Sequence, residues 1–110
     1  HLVVLVEDPA AVDLVSFGAR AEAAFPAGAN VHVVAVRDGG LDLRVWERGV
    51  GLTDACGSGA TAAAAVANGW GLVGPTVEVR MPGGTAVVEV DGTSAALTGP
   101  TVFVAEVVVP

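Results

Sequence analysis

From residue 60 the chain reads Ala-Thr-Ala-Ala-Ala-Ala-Val-Ala-Asn and then meets Gly69. Alanine is the strongest helix former, and glycine is a frequent residue just past a helix end. The run therefore predicts a helix over 60–68. Its side chains are little more than methyl groups, so strands can approach it closely and still fill the space between. The rest of the chain supplies such strands. It is rich in valine, with three Phe, two Trp and no Tyr, so its core must be built from small branched side chains. With 110 residues, 53% of them hydrophobic and 15% charged, the chain is long enough and apolar enough for one packed domain.

Residues 1–6 form a short apolar run that reads as a buried strand. Asp8-Pro9 has the pattern of an N-cap followed by proline at the first helical position, and apolar residues at Ala11, Leu14, Val15 and Gly18 continue it with helical spacing. A helix is predicted over 9–23, ended by Phe25-Pro26-Ala27-Gly28. Residues 30–37 and 41–47 are β-rich, the second alternating cleanly, with Asp38-Gly39-Gly40 as a hairpin turn between them. Beyond the alanine helix, strands are predicted over 76–81, 85–90, 94–97 and 102–109. Pro82-Gly83-Gly84 and Asp91-Gly92 punctuate them. About seven strands and two helices give an α+β fold with a mostly antiparallel sheet.

Charge excludes several partners. The formal net charge is −7, and the only basic residues besides histidine are five scattered arginines, Arg20, Arg37, Arg44, Arg48 and Arg80. No basic patch exists to neutralise phosphates, so neither nucleic acid nor an anionic membrane surface is an expected partner. No apolar run approaches the ~20 residues of a membrane span, and no basic segment opens a secretory signal. The single cysteine, Cys56, cannot form an internal disulfide and suits a reducing compartment such as the cytoplasm. The chain begins with His1 rather than Met, as expected of one that was cut from something longer or processed.

Cys56 is followed by Gly57, Ser58 and Gly59, directly ahead of the alanine helix. Unpaired N–H groups and the helix dipole favour negative charge at such a position. The glycines let a ligand approach the backbone, and the same N–H groups suit a substrate carboxylate. The segment fits a thiol base beside an anion cradle. It also fits a small hydrophobe buried in the core. Glu47-Arg48 closes an alternating strand just before this loop. Arg48 can grip a carboxylate at two points and Glu47 can accept from an ammonium, although a solvated surface pair has the same pattern. Asn30 can cap a turn. His32 alternates with Val31 and Val33 and is expected to face solvent or pack in its strand, without a role.

Together these residues resemble the C-terminal half of diaminopimelate epimerases. Trp46-Glu47-Arg48-Gly49-Val50-Gly51, then Ala55-Cys56-Gly57-Ser58-Gly59-Ala60, is similar to the segment around the second catalytic cysteine of that family. Phe25-Pro26-Ala27-Gly28-Ala29-Asn30-Val31 resembles the segment carrying a substrate-binding asparagine. Met81-Pro82-Gly83-Gly84 and Leu97-Thr98-Gly99-Pro100 resemble the turns that follow. His1-Leu2-Val3 looks like the continuation of the Gly-Asn-Pro-His segment, and the likeness covers nearly the whole chain. Two positions depart from the pattern: Leu52 stands where Glu is usual, and Ser58 where Thr is commoner.

The resemblance implies that residues 1–110 are a C-terminal domain, a barrel-like, mostly antiparallel sheet wrapped around a central helix. It implies epimerisation of LL- to meso-diaminopimelate in lysine and peptidoglycan precursor synthesis, with neither pyridoxal phosphate nor a metal. One cysteine removes the α-proton as thiolate, and a second returns a proton from the other face. Cys56 matches one of the two. Glu47 and His1 match groups that tune the thiols. Asn30, Glu47, Arg48, Gly57 and Ser58 match substrate contacts. The other cysteine belongs to an N-terminal half, so this chain by itself is expected to be inactive, and the full-length enzyme is expected to be a homodimer. Half of a proline racemase-like or phenazine-synthesis-type isomerase fits Cys-Gly-Ser-Gly as well, as does a non-catalytic assembly domain with Cys56 buried.

Overall fold

A computed structural model describes all 110 residues. Its centre is a β-hairpin, β2 (Val31–Arg37) and β3 (Gly40–Glu47), paired antiparallel from Val31 opposite Trp46 to Arg37 opposite Gly40. The two residues between them, Asp38 and Gly39, both have positive φ, 51° and 73°. That geometry matches the right-handed twist of the flanking strands and favours the Asp-Gly pair found here.

β1 (Leu2–Leu5) joins β2 in parallel, and β4 (Gly51–Thr53) folds back on β3. β5 (Thr76–Met81) lies parallel to the other side of β3, followed by antiparallel β6 (Gly84–Asp91) and β7 (Ser94–Thr98). The sheet order is β1-β2-β3-β5-β6-β7, with β4 branching from β3.

Two helices cover the two faces. α2 (Gly57–Gly69) packs against every strand except β4. Its buried Ala60, Ala63, Ala64 and Ala67 form one core with Val34, Leu41, Leu43, Val45, Val77, Val79 and Val88. α1 (Leu14–Ala23) and a short 3-10 turn (Pro9–Ala11) cover the opposite face of β2 and β3. Strand alternation sorts the residues. His32, Val34, Leu43 and Val45 look toward α2, whereas Val31, Val33, Arg44 and Trp46 look toward α1. With both faces covered, five consecutive residues of β2, Val31 to Ala35, are buried.

The expectation of an α+β fold holds, with three differences from the barrel-like sheet wrapped around a central helix. The sheet stays open, because β1 and β7 do not pair with each other, and no barrel closes. Closure would need a strand reaching β1, but β1 is only four residues long and residues 99–110 leave the sheet. Residues 102–109 form no strand. Val102, Phe103, Val104, Val107, Val108 and Val109 are exposed, and their β propensity is not realised, because a strand needs a partner and this segment pairs with neither free edge of the sheet, β1 or β7.

The helix expected over 9–23 is split. Asp8 caps the 3-10 turn through Ala10 N–H, and Asp13 caps α1 through Ser16 N–H; the Ser16 side chain, and after it the Ser16 N–H, holds the Asp13 carboxyl below the usual carboxylate range. Val12 between them is extended, and Arg44 Nη1 reaches from β3 to the carbonyls of Pro9 and Val12. No helix is long and apolar enough to cross a membrane.

α1 sits close to the sheet because Gly18 has no side chain. A Cβ there would lie 2.4 Å from Trp46 Cγ, and Trp46 is tied to α1 by its indole N–H donating to Glu22 Oε2 at 2.7 Å. Gly69 meets nothing within 4 Å and has no positive φ. Gly18→Ala is therefore expected to destabilise the fold by about 1–3 kcal/mol through overpacking, while Gly69→Ala is neutral or slightly stabilising through helix propensity. Urea unfolding of the two variants beside the parent checks both.

Candidate functional site

The strand register brings one end of β1, β2 and β3 together. β1 and β2 run parallel and start there, while β3 ends there. His1 precedes β1, Asn30 precedes β2, and Glu47-Arg48 closes β3. Continuing the alternation from Val3, His32 and Val45 puts His1, Asn30 and Glu47 on the α2 face as well. The N-terminus of α2 arrives at the same place, where a Cβ on Gly59 would lie 2.2 Å from the His32 ring.

Cys56 is the N-cap of α2. Its backbone is extended (φ −145°, ψ 107°), and its Sγ accepts the Gly59 N–H at 3.4 Å, taking the part an oxygen usually plays. Ser58 Oγ lies 3.5 Å from the same sulfur. The thiol is half-buried, packed on the edge of the core rather than enclosed in it. Gly57 and Ser58 are exposed, and their N–H groups lie ahead of the first bond of the helical ladder, Ala60 N–H to Cys56 C=O. The loop into the helix is pinned from two sides. Gly83 N–H donates to Asp54 C=O at 2.8 Å, and Leu97 Cδ2 lies 3.0 Å from where a Cβ on Gly57 would be.

Asn30 and Arg48 are joined, as Asn30 Oδ1 accepts the Arg48 backbone N–H at 2.8 Å. Arg48 Nη1 donates to Ala27 C=O, and the guanidinium has no carboxylate partner in the chain. Glu47 Oε1 accepts from Thr53 Oγ1 at 2.7 Å and makes no hydrogen bond to Cys56. Glu22 Oε1 accepts the Gly49 N–H and fixes the turn after Arg48. No three His, Cys, Asp or Glu side chains converge into a metal-binding cluster. Two depressions dent the surface, and neither is lined by Cys56, Asn30, Glu47 or Arg48, so these groups line an open face.

Of the two placements expected for His32, facing solvent or packing in its strand, the second is found. It is fully buried, and its Nε2 lies 2.8 Å from His1 Nδ1. Its Nδ1 is buried with no partner. The space beside Gly59, expected to admit a ligand, is filled by the His32 ring. Burial pushes the imidazole down to about 4. The signal for this was present in the strand alternation: residue 32 shares a face with residue 30, so a residue at the site end of β2 has a neighbour beneath it. Thr53 and Glu22, which hold Glu47 and Gly49, carried no such signal, because their contacts depend on how β4 and α1 dock.

Comparison with known proteins follows from this arrangement. The sequence model of the family described as "Diaminopimelate epimerase" matches residues 1–104. A diaminopimelate epimerase from Rhizorhabdus wittichii is 47% identical over 112 aligned residues, covering 96% of this chain and 41% of that protein. One from Acidothermus cellulolyticus is 45% identical, covering 96% of this chain and 37% of that protein. The chain thus spans about two-fifths of the length of these curated relatives. Among solved structures, a phenazine biosynthesis protein of the PhzF family from Enterococcus faecalis superposes with a TM-score of 0.65 at 16% identity over 82% of this chain and 33% of the other. A PhzF-family protein from Bacillus anthracis gives 0.58 at 16% over 79% and 29%. At that identity the likeness is one of fold.

The buried imidazole makes stability depend on pH. An unfolded chain protonates His32 near pH 6.5, whereas the folded one does so only near 4. The stability from keeping the ring neutral is therefore complete above about pH 6.5 and is lost as pH falls toward 4, by up to about 3 kcal/mol. In His32→Gln, urea-unfolding free energies measured from pH 7 to pH 4 are expected to show a correspondingly shallower fall than in the parent.

Proposed function

The chain belongs to the diaminopimelate epimerase family, and on that basis we propose that it supplies one half of a two-base site that inverts the α-carbon of diaminopimelate without pyridoxal phosphate. The observation that carries this reading is the seat of Cys56, whose sulfur caps an open helix N-terminus with a backbone N–H directed at it. Negative charge on sulfur is favoured at such a place by the first-turn N–H groups and the helix dipole. As thiolate, Cys56 takes the α-proton from one face of the substrate. The C–H bond breaks, the S–H bond forms, and a group from outside this chain delivers a proton to the opposite face. In the reverse direction Cys56, as thiol, is the donor. Two such groups are needed for inversion, and this chain holds one cysteine.

The remaining residues hold the substrate. The N–H groups of Gly57 and Ser58 suit the carboxylate next to the reacting carbon. At the other end of the site, the Arg48 guanidinium donates to Ala27 C=O but has no carboxylate partner in the chain, and a guanidinium can bind a carboxylate at two points. Asn30 keeps its amide NH₂ free while its oxygen orients the Arg48 backbone. Glu47, braced by Thr53, accepts from an ammonium group. A substrate with an amino-acid group at each end satisfies both sets, which favours diaminopimelate over proline.

Leu52, the departure from the family pattern, is exposed on β4 opposite Trp46 and makes none of these contacts. The open face on which the site lies fits a partner half that completes it. His1 is then the group of this chain that faces the second base.

Two measurements check the reading. In the full-length protein that contains this chain, Cys56→Ser is expected to lower kcat for diaminopimelate epimerisation by at least about 10³-fold, as removal of a central catalytic group does. Proline is expected to be no substrate. The 110-residue chain alone is expected to show no sustained stereoinversion of diaminopimelate, followed by optical rotation and by α-proton exchange in deuterated water. Full turnover by the chain alone would overturn the two-base assignment.

A further inference from the structure

His32 is a fully buried imidazole at the centre of the proposed site. It touches His1 on one side and the first turn of α2, at Gly59, on the other. We infer that His32 is a positioning residue that holds His1 as a neutral imidazole with its proton on Nε2, so that His1 acts as a hydrogen-bond donor and not as a base. The inference deepens the epimerase reading and rests on it for the role of His1.

Satisfying the buried donors fixes the tautomers of both rings. His32 Nδ1 is buried without a partner. A proton there would be an unpaired buried N–H, which costs about 1–3 kcal/mol. The proton of His32 therefore sits on Nε2, the nitrogen 2.8 Å from His1 Nδ1. His32 donates across that contact, and His1 Nδ1 must accept. An imidazole that accepts at Nδ1 is neutral and carries its proton on Nε2. The doubly protonated state of His32 is opposed as well, since burial disfavours its charge.

Three features keep the His32 ring in this place. Val3 and Val45 flank it across β1 and β3 in register. Gly59 gives it room, because any larger residue would bring its Cβ within 2.6 Å of Nδ1. The same Gly59 donates its N–H to Cys56 Sγ. The titratable groups around His32 are thus the His1 ring and, beyond Gly59, the Cys56 thiol. A donor at His1 Nε2 suits an anion facing it, such as the ionised state of the second acid/base group or a substrate carboxylate. It does not suit the removal of a proton from that group.

The test uses the full-length enzyme with ¹⁵N-labelled histidine. Two-bond ¹H–¹⁵N correlation spectra at pH 7 are expected to show His1 and His32 both neutral and both protonated at Nε2. A protonated Nδ1 on His1, or a doubly protonated His1, overturns the inference. Kinetics supply the second arm. His32→Leu removes the donor and is expected to lower kcat by roughly 10- to 100-fold, in the range seen when orienting partners are lost, with KM changed by less than about threefold. His32→Gln keeps an N–H within reach of His1 Nδ1 and is expected to restore most of kcat. Equal losses in both variants, or no loss in His32→Leu, overturn the positioning role. If His32→Leu does not fold, the spectra of the unmodified enzyme and the His32→Gln kinetics still decide. Absence of diaminopimelate turnover in the unmodified enzyme would refute the epimerase reading instead, and the spectra would still report the tautomer.

Discussion

The first turn and buried face of α2 carry only Gly59, Ala60, Ala63, Ala64 and Ala67, and this shortage of side chain lets one helix lie against six strands. An α-helix with leucines there would stand several ångströms further from the sheet. The valines and leucines of β2, β3, β5 and β6 fill the remaining space, and no Phe or Trp is fully buried. Volume is conserved across the interface in the sense that small helix residues meet branched strand residues. The closest approach of all, Gly59 against His32, occurs at the helix end that carries Cys56. The packing constraint and the chemistry therefore meet in one turn of helix. Enlarging any residue of that face would move the sulfur relative to His1, Asn30 and Glu47.

Short local bonds then arrange the polar groups. Asn30 holds the Arg48 backbone, Thr53 holds Glu47, Glu22 holds Gly49, and Gly83 holds Asp54. Each joins segments distant in sequence but adjacent at one end of the sheet. None of these bonds uses the Arg48 guanidinium's capacity for a carboxylate or the first-turn N–H groups of α2. The scaffold consumes the groups that orient the site and leaves free those that would contact a ligand, which is the pattern expected of preorganised binding.

Much of this was legible in the sequence because it is periodic or punctuated. The alternation of 41–47, the Asp38-Gly39 turn and the alanine run each predict an element that is found, with bounds shifted by at most a few residues. Cys56 at the start of α2 follows from the same signals. The elements that escaped depend on partners. The split at Val12 is held by Arg44 from β3, a contact that no local pattern within 9–23 announces. Residues 102–109 have strong strand propensity, but propensity does not bring them to either free edge of the sheet, β1 or β7. β4, three residues containing a glycine at φ 102°, exists because β3 offers a free edge opposite Gly51 to Thr53.

His32 was left between two placements, facing solvent or packed in its strand, for a different reason. Histidine between valines on a strand reads as the polar member of an alternating pair, hence as facing water. Alternation reports two faces, but it assigns one of them to solvent only if nothing covers it. Here both faces of β2 are covered, by α1 on one side and α2 on the other, so the polar residue is carried inward. A buried histidine is costly unless it is neutral and partnered, and the lone partner within reach is His1. The strand position that looked least informative thus links the residue at the start of β1 to the helix that carries the thiol, because covering the second face of the sheet left its imidazole only one hydrogen bond to make.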